Sequence, residues 1–220
     1  MSKIILDLCG GTGSWSQPYK DAGYEVIIIT LPWYDVTKVE FTGEHFILKP
    51  MQWVGNWQEA VLIVPIKQIH GILAAPPCTE FSKAKGNAYR DFKEGMEVVS
   101  ICMGIIWNCR INGPLKFWAL ENPVGFLRQF LGNPKFTFEP YEFGSLHSKR
   151  TDVWGYFNAP RKKFKSLPPL IKASEGDKSH ARSYSNPKAP SMYKHLKLNR
   201  AAIRAITPPE FALAFWRANP

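Results

Sequence analysis

The chain has 220 residues, of which 45% are apolar and 21% charged. That composition excludes disordered and fibrous proteins, and the length suffices to bury the core of one domain without disulfides or a structural metal. The net charge is +10, yet residues 1–144 carry 13 Lys and Arg against 14 Asp and Glu, whereas residues 145–220 carry 15 against 4. All the excess lies in the last third, which points either to a polyanion-binding part or to a solubilising basic surface.

The four cysteines, Cys9, Cys78, Cys102 and Cys109, form no CxxC pair and lack histidines at metal-ligand spacing. This argues against a metal site or a secreted disulfide framework, and for a reducing compartment. No apolar run approaches the ~20 residues that span a bilayer, and the first residues carry no signal-peptide pattern, so the expectation is a soluble, cytoplasmic protein with no membrane partner.

In chain order, Lys3–Leu8 is apolar and β-branched and runs into Gly10, Gly11 and Gly13, which predicts a buried strand ending in a glycine turn. A helix is predicted from about Ser14, capped by Ser14 or Ser16 and ending at Gly23, before a second strand at Glu25–Thr30. This is a βαβ unit, the mark of a parallel sheet with helices on its faces. Pro32, Pro50 and Pro65 interrupt the next stretch, in which a short strand is expected near His45–Leu48 and a helix around Trp57–Ile63. His70–Ala75 reads as a buried strand stopped by Pro76 and Pro77. Asp91–Asn112 reads as a long amphipathic helix with Met96, Val99, Met103, Ile106 and Trp107 on one face, and Leu115–Leu120 as a strand broken at Glu121-Asn122-Pro123. Val153–Tyr156 is expected to be a strand and Pro160–Pro190 a loop. A last helix is expected at Pro209–Arg217, with Phe211, Phe215 and Trp216 facing the core.

Ligands of parallel α/β sheets sit outside the carboxyl ends of the strands. Three distinctive segments follow predicted strands: Asp7–Ser14, Pro76–Ser82 and Glu121–Pro123. The glycines of the first admit a nucleotide-like ligand beside a helix start, although a turn needs glycine without any ligand. The spacing is not that of a phosphate loop. Cys78, on a proline-stiffened loop, is placed either as a nucleophile or as a small buried apolar residue. For Cys102, Cys109 and Cys9 packing is the favoured role. Glu121, directly after an apolar run, is either a buried acid of raised pKa or an ordinary turn carboxylate.

The order DLCGGTGSWS, PPCTEFS, ENP and SKRTDVWG resembles the cytosine-5 DNA methyltransferases, above all their compact members from phages and mobile elements, over roughly residues 3–157. The resemblance implies a Rossmann-like S-adenosylmethionine-dependent methyltransferase fold with a mostly parallel sheet, and a short basic C-terminal extension. It divides the chain into a catalytic core, 1–157, and a basic segment, 158–220. It implies Cys78 as the nucleophile, Glu121 as the acid at ring nitrogen 3, and Arg150 and Ser82 as supports of the base or the loop. S-Adenosyl-L-methionine would contact Asp7, Cys9, Gly10, Gly11, Thr12, Gly13, Ser14, Trp15 and Pro76. DNA would present a flipped or single-stranded cytosine, in a bacterial or phage-infected cell.

Departures from the family pattern stand out. Thr30 occupies the place of the ribose-binding acid, with Asp35 the nearest substitute; Ser148 and Asp152 replace the expected Gln and second Arg; and no late GNSV-type segment is evident unless the last helix fills its space. Only 63 residues follow Phe157, against about 100 or more for a separate recognition domain, so recognition is expected to be loose or supplied by a protein partner. The phosphate-binding candidates are Lys149, Lys162, Lys163, Lys165, Lys172, Arg182, Lys188, Lys194, Lys197, Arg200 and Arg204, with Tyr184 and Tyr193 for stacking. RNA or a cytosine nucleotide as substrate, and a catalytically silent nucleic-acid-binding homologue, remain the competing readings.

Overall fold

The computed structural model describes residues 3–51, 61–145, 147–166 and 190–220. The chain has an α/β architecture with a six-stranded sheet and a separate three-stranded one. In the larger sheet the order is β2 (Glu25–Ile29), β1 (Ile4–Leu8), β6 (Ile69–Ala74), β7 (Phe117–Pro123), β9 (Thr151–Tyr156), β8 (Phe136–Phe138). The first three neighbouring pairs are parallel, and β9 runs against both β7 and β8. The sheet is therefore mixed, which corrects the expectation of a mostly parallel one.

The small sheet joins β3 (Glu40–Phe41), β4 (His45–Leu48) and β5 (Leu62–Pro65) in antiparallel order. β4 lies where the sequence predicts it. The helix expected around Trp57–Ile63 is corrected at its end, because Leu62 and Ile63 pair with Leu48 and Ile47 in β5; residues 52–60 lie outside the described residues.

Side-chain alternation along β1 sends Ile4, Leu6 and Leu8 to one face and Ile5 to the other. The first set packs with Val99, Cys102, Ile105, Ile106 and Cys109 of α2 (Phe92–Asn112) and with Phe46, Leu48 and Val64 of the small sheet. Ile5 packs with Tyr19 of α1 (Gln17–Asp21) and with Phe211, Ala212 and Phe215 of α5 (Pro209–Ala218). Helices thus cover both faces. Asp91 starts α2 by accepting a hydrogen bond from the Glu94 amide at 2.9 Å, and Trp107, expected on the packed face, is exposed. α1 begins at Gln17 with Ser16 in the capping position, one of the two expected, but its side chain makes no capping bond. Ser16 Oγ donates to Asp7, and Ser14 Oγ donates to the Thr207 carbonyl.

β7 is longer than its apolar run, since Glu121, Asn122 and Pro123 stay in the strand and pair with Val153, Asp152 and Thr151 of β9. An antiparallel partner satisfies the backbone that the sequence alone leaves as a break. Two short helices, α3 (Arg128–Leu131) and α4 (Arg200–Ala205), complete the fold. The sequence reading has neither.

Candidate active site

The chain turns from β1 to β2 on one side and later reaches β6 on the other side of β1. Loops therefore diverge above β1 and β6, and such a reversal of strand order leaves a crevice. Register makes the strand ends level, with Leu8 beside Ala74 and Ala74 beside Leu120. Cys9 and Ala75 accordingly leave the sheet at the height where Glu121, still paired with β9, follows Leu120. A cavity of about 410 Å³ lies there, lined by Asp7, Cys9, Gly10, Gly11, Thr12 and Trp15 from the first loop and by Pro76, Pro77 and Cys78 from the second. Glu121, Asn122, Pro123 and Lys149 line it from β7 and the approach to β9. Its last wall, Leu196, Leu198, Ala202, Ala205, Ile206 and Thr207, comes from α4 and its flanks. The last helix itself sends Phe211 and Phe215 into the core, so the segment before it, not α5, returns to the cavity.

The glycine loop is shaped around Asp7. A Cβ on Gly10 would stand 2.4 Å from the Asp7 carboxyl carbon, so only glycine passes over that side chain. Cys9 itself is left-handed at φ 58°. Asp7 is fully buried, its Oδ2 accepting from Ser16 Oγ at 2.5 Å while Oδ1 has no partner. Burial pushes its carboxyl up to about 7, against the opposing hydrogen bond from Ser16.

Several expected cofactor contacts lie elsewhere. Gly13 and Ser14 do not line the cavity, and the Ser14 hydroxyl is spent on Thr207. Thr30 Oγ1 accepts from the Gly11 amide at 3.3 Å, supporting the loop from behind. Asp35 Oδ1 accepts from the amide and hydroxyl of Thr37, capping its own turn. Neither residue lines the cavity.

The second loop is held by its neighbours. Asn122 Nδ2 donates to the Pro76 carbonyl at 3.0 Å, the Cys78 carbonyl accepts from Ser82 N at 2.8 Å, and Ser82 bridges to Gly125. Ser82 Oγ accepts from Ala84 N, so it shapes the turn after the Cys78 loop. Cys78 is half-buried. Desolvation pushes its thiol up, Lys149 and Arg204 pull it down, and the Glu121 charge adds to the rise. Glu121 is buried with Oε2 unpartnered; desolvation raises its pKa and Lys149 opposes the rise.

The cation near this pair is therefore Lys149, whose Nζ also donates to the Arg204 carbonyl at 3.0 Å. The sequence reading places Lys149 on phosphates and Arg150 at the base. Arg150 is exposed and lines instead an adjoining hollow of about 690 Å³ with Cys78, Thr79, Ser82, Lys83, Lys85, Lys149 and Arg204. Lys83 and Lys85 are missed by sequence reasoning because the charge count of residues 1–144 is close to neutral. Only the fold gathers these side chains at one opening, where the Lys85 ammonium is paired with Glu80 at 2.5 Å.

Of the other nucleic-acid candidates, Lys162 is tied to Glu142 at 2.8 Å and to the Thr137 carbonyl at 2.9 Å. Lys163 lines a separate hollow with Arg161 and Arg217. Lys165, Lys194 and Lys197 are exposed, and Arg200 opens α4. Tyr193 is buried, which removes it as a stacking surface. Lys172, Arg182, Tyr184 and Lys188 lie outside the described residues. All four cysteines are free. Among the described residues no group of His, Cys, Asp and Glu could hold a metal ion, and no helix is long and apolar enough to cross a membrane. A comparison with protein-family models gives no match, and neither does a comparison with curated proteins.

Proposed function

We propose that the chain is a Rossmann-like methyltransferase that transfers a methyl group from S-adenosyl-L-methionine to carbon 5 of cytosine in DNA through a covalent Cys78 adduct. The observation that carries this reading is the convergence of Cys78, Glu121 and Lys149 on the cavity whose opposite wall is the Asp7 glycine loop. The cavity volume lies within the range of small-molecule sites. The unpartnered Asp7 Oδ1 and the close passage at Gly10 fit a cofactor that brings cationic groups and needs the backbone near.

S-Adenosylmethionine, when bound, supplies an electrophilic methyl group. The residues of the chain prepare the base for it. The Cys78 thiolate adds to carbon 6 while Glu121, whose hold on its proton burial strengthens, donates that proton to ring nitrogen 3. Electron density moves to carbon 5, which takes the methyl. The carbon 5 proton would pass to solvent as the Cys78 thiolate is eliminated, and return of the nitrogen 3 proton to Glu121 would regenerate the pair. Lys149 stabilises the charges that Cys78 and Glu121 carry in turn.

The test uses DNA containing 5-fluorocytosine, whose carbon 5 cannot release a proton, so the adduct is trapped. Wild type with S-adenosylmethionine is expected to form a complex stable to denaturation, and Cys78→Ala none. Equal behaviour of the two proteins overturns the nucleophile. Methyl incorporation into duplex DNA, RNA and a cytosine nucleotide sets the substrate class, and DNA as the poorest acceptor overturns that part.

A further inference from the structure

The segments that follow Lys85 and Val124, which line the hollow beside Cys78, carry exposed rings that the proposed chemistry does not use. After the turn that carries Lys83 and Lys85, the chain presents Tyr89 with 85% of its surface exposed, and Phe126 and Phe130, in the segment after β7, are 38% and 44% exposed. Arg90 joins the two segments. Its guanidinium donates to the Glu80 and Gly86 carbonyls, at 2.7 and 3.0 Å, and lies 4.8 Å from the centroid of the Phe126 ring. Phe92 fills the space behind, 5.9 Å from Phe126 and 5.4 Å from Phe130. Folding left these rings outside, although burying them would have been favourable.

We propose that this surface, with Tyr89 at its exposed end, stacks unpaired bases of the nucleic-acid strand whose target cytosine lies at Cys78. The inference rests on the nucleic-acid reading above. Single-stranded nucleic acid is held by cations that track its backbone and by flat rings that stack its bases. Both occur here in one stretch of chain. Lys83 lines the hollow containing Cys78, beside Lys85, whose ammonium is paired with Glu80 at 2.5 Å, and Tyr89 follows Lys83 at no more than roughly 20 Å of chain, a few nucleotides away. A protein partner would be met by aliphatic groups as readily as by rings. The exposed groups here are aromatic and interleaved with a fixed guanidinium, which suits a flat, anionic polymer. Ser82–Gly125 pairing and the Phe126 amide bond to the Phe81 carbonyl, at 2.9 Å, tie the rings to the nucleophile loop, so a stacked strand is set in place relative to Cys78.

Tyr89 is exposed enough that its replacement leaves the fold intact. A single-stranded oligonucleotide of about 12 nucleotides, with 2-aminopurine next to the target cytosine, is the probe. Tyr89→Ala is expected to bind it about 5- to 150-fold more weakly than wild type. The salt dependence should be unchanged, because no phosphate contact is lost. Tyr89→Phe, which keeps the ring, should stay within about twofold, and quenching of 2-aminopurine on binding should be lost only in Tyr89→Ala. Tyr89→Ala binding and quenching as wild type overturns the inference, as does a Tyr89→Phe as weak as Tyr89→Ala. Unchanged oligonucleotide affinity with lost self-association in Tyr89→Ala would assign the surface to protein contact and also overturn it. If wild type binds no oligonucleotide, the nucleic-acid reading falls with it.

Discussion

A thiol and a carboxyl that share one cavity exchange protons as a pair, so their activity reports apparent pKa values of both together. Burial raises both Cys78 and Glu121, and the reacting form needs the thiolate with the protonated acid. The rate should fall on the acid side, where Cys78 can no longer lose its proton, and on the alkaline side, where Glu121 and Cys78 are both charged. The expected kcat/KM profile is a bell, its acid limb above the usual carboxylate range. Lys149→Met removes the cation that favours both charged forms. It should shift both limbs upward and cost about 100-fold or more in rate, whereas Arg150→Met chiefly weakens substrate binding. Equal losses in the two variants would return the central role to Arg150. The sequence shows two adjacent cations but not which one reaches Glu121, because that depends on how the chain enters β9.

Asp7 makes a prediction about stability. Its carboxyl rises from 3.8 to about 7 on folding, so the folded state holds the proton more tightly than the unfolded chain. Its favourable contribution is complete below pH 3.8 and is lost as pH rises to about 7. Asp7→Asn should therefore stabilise the ligand-free protein at about pH 8, by up to about 4 kcal/mol, and have little effect near pH 4. If S-adenosylmethionine is the cofactor, as proposed, the same variant should lose the stabilisation that it would confer. Thermal unfolding at both pH values, with and without cofactor, measures all of this. An Asp7→Asn protein no more stable at the higher pH would remove Asp7 as a buried charge.

At the scale of elements, the nucleophile loop and the strand holding Glu121 are joined through the Ser82–Gly125 bridge. A Cβ at Gly125 would lie 2.2 Å from the Phe81 carbonyl oxygen, a backbone atom that cannot yield locally. Gly125→Ala should lower kcat while leaving cofactor affinity, measured by calorimetry, unchanged. A loss of cofactor binding would mean that the loops are coupled further than this contact. β1, β2, β4, β6, α2 and α5 are legible in the sequence because each is a local apolar pattern with clear stops. The end of β7 is not, since Glu121-Asn122-Pro123 belongs to a strand only by pairing with β9. β8 and α4 are missed for the same reason: they are short, and their partners rather than their composition hold them.

For the whole molecule, the described end of the basic last third is packed into the core. Phe211 is fully buried and stacks on Phe138 with ring centroids 3.8 Å apart, and Asn219 bonds to the chain at Asn158. Truncation after Phe157 would unfold the protein rather than isolate its charge. Phe211→Ala alone should cost about 3–5 kcal/mol in denaturant unfolding. Point substitutions test the charge instead. Lys83→Gln with Arg150→Gln should reduce the slope of log affinity against log salt by about 2, and an unchanged slope would exclude this opening as the path of the nucleic-acid backbone.

The sequence by itself determined the kind of elements, the presence of three distinctive loops and the position of the basic excess, because periodicity, glycine turns and charge are local properties of the chain. Only the tertiary structure decided that the three loops share one cavity, that Lys149 rather than Arg150 lies near Glu121, and that Lys83, from the near-neutral part of the chain, lines the same hollow as Cys78. Those facts depend on strand order and register, which bring together residues far apart in the chain and which no local pattern encodes.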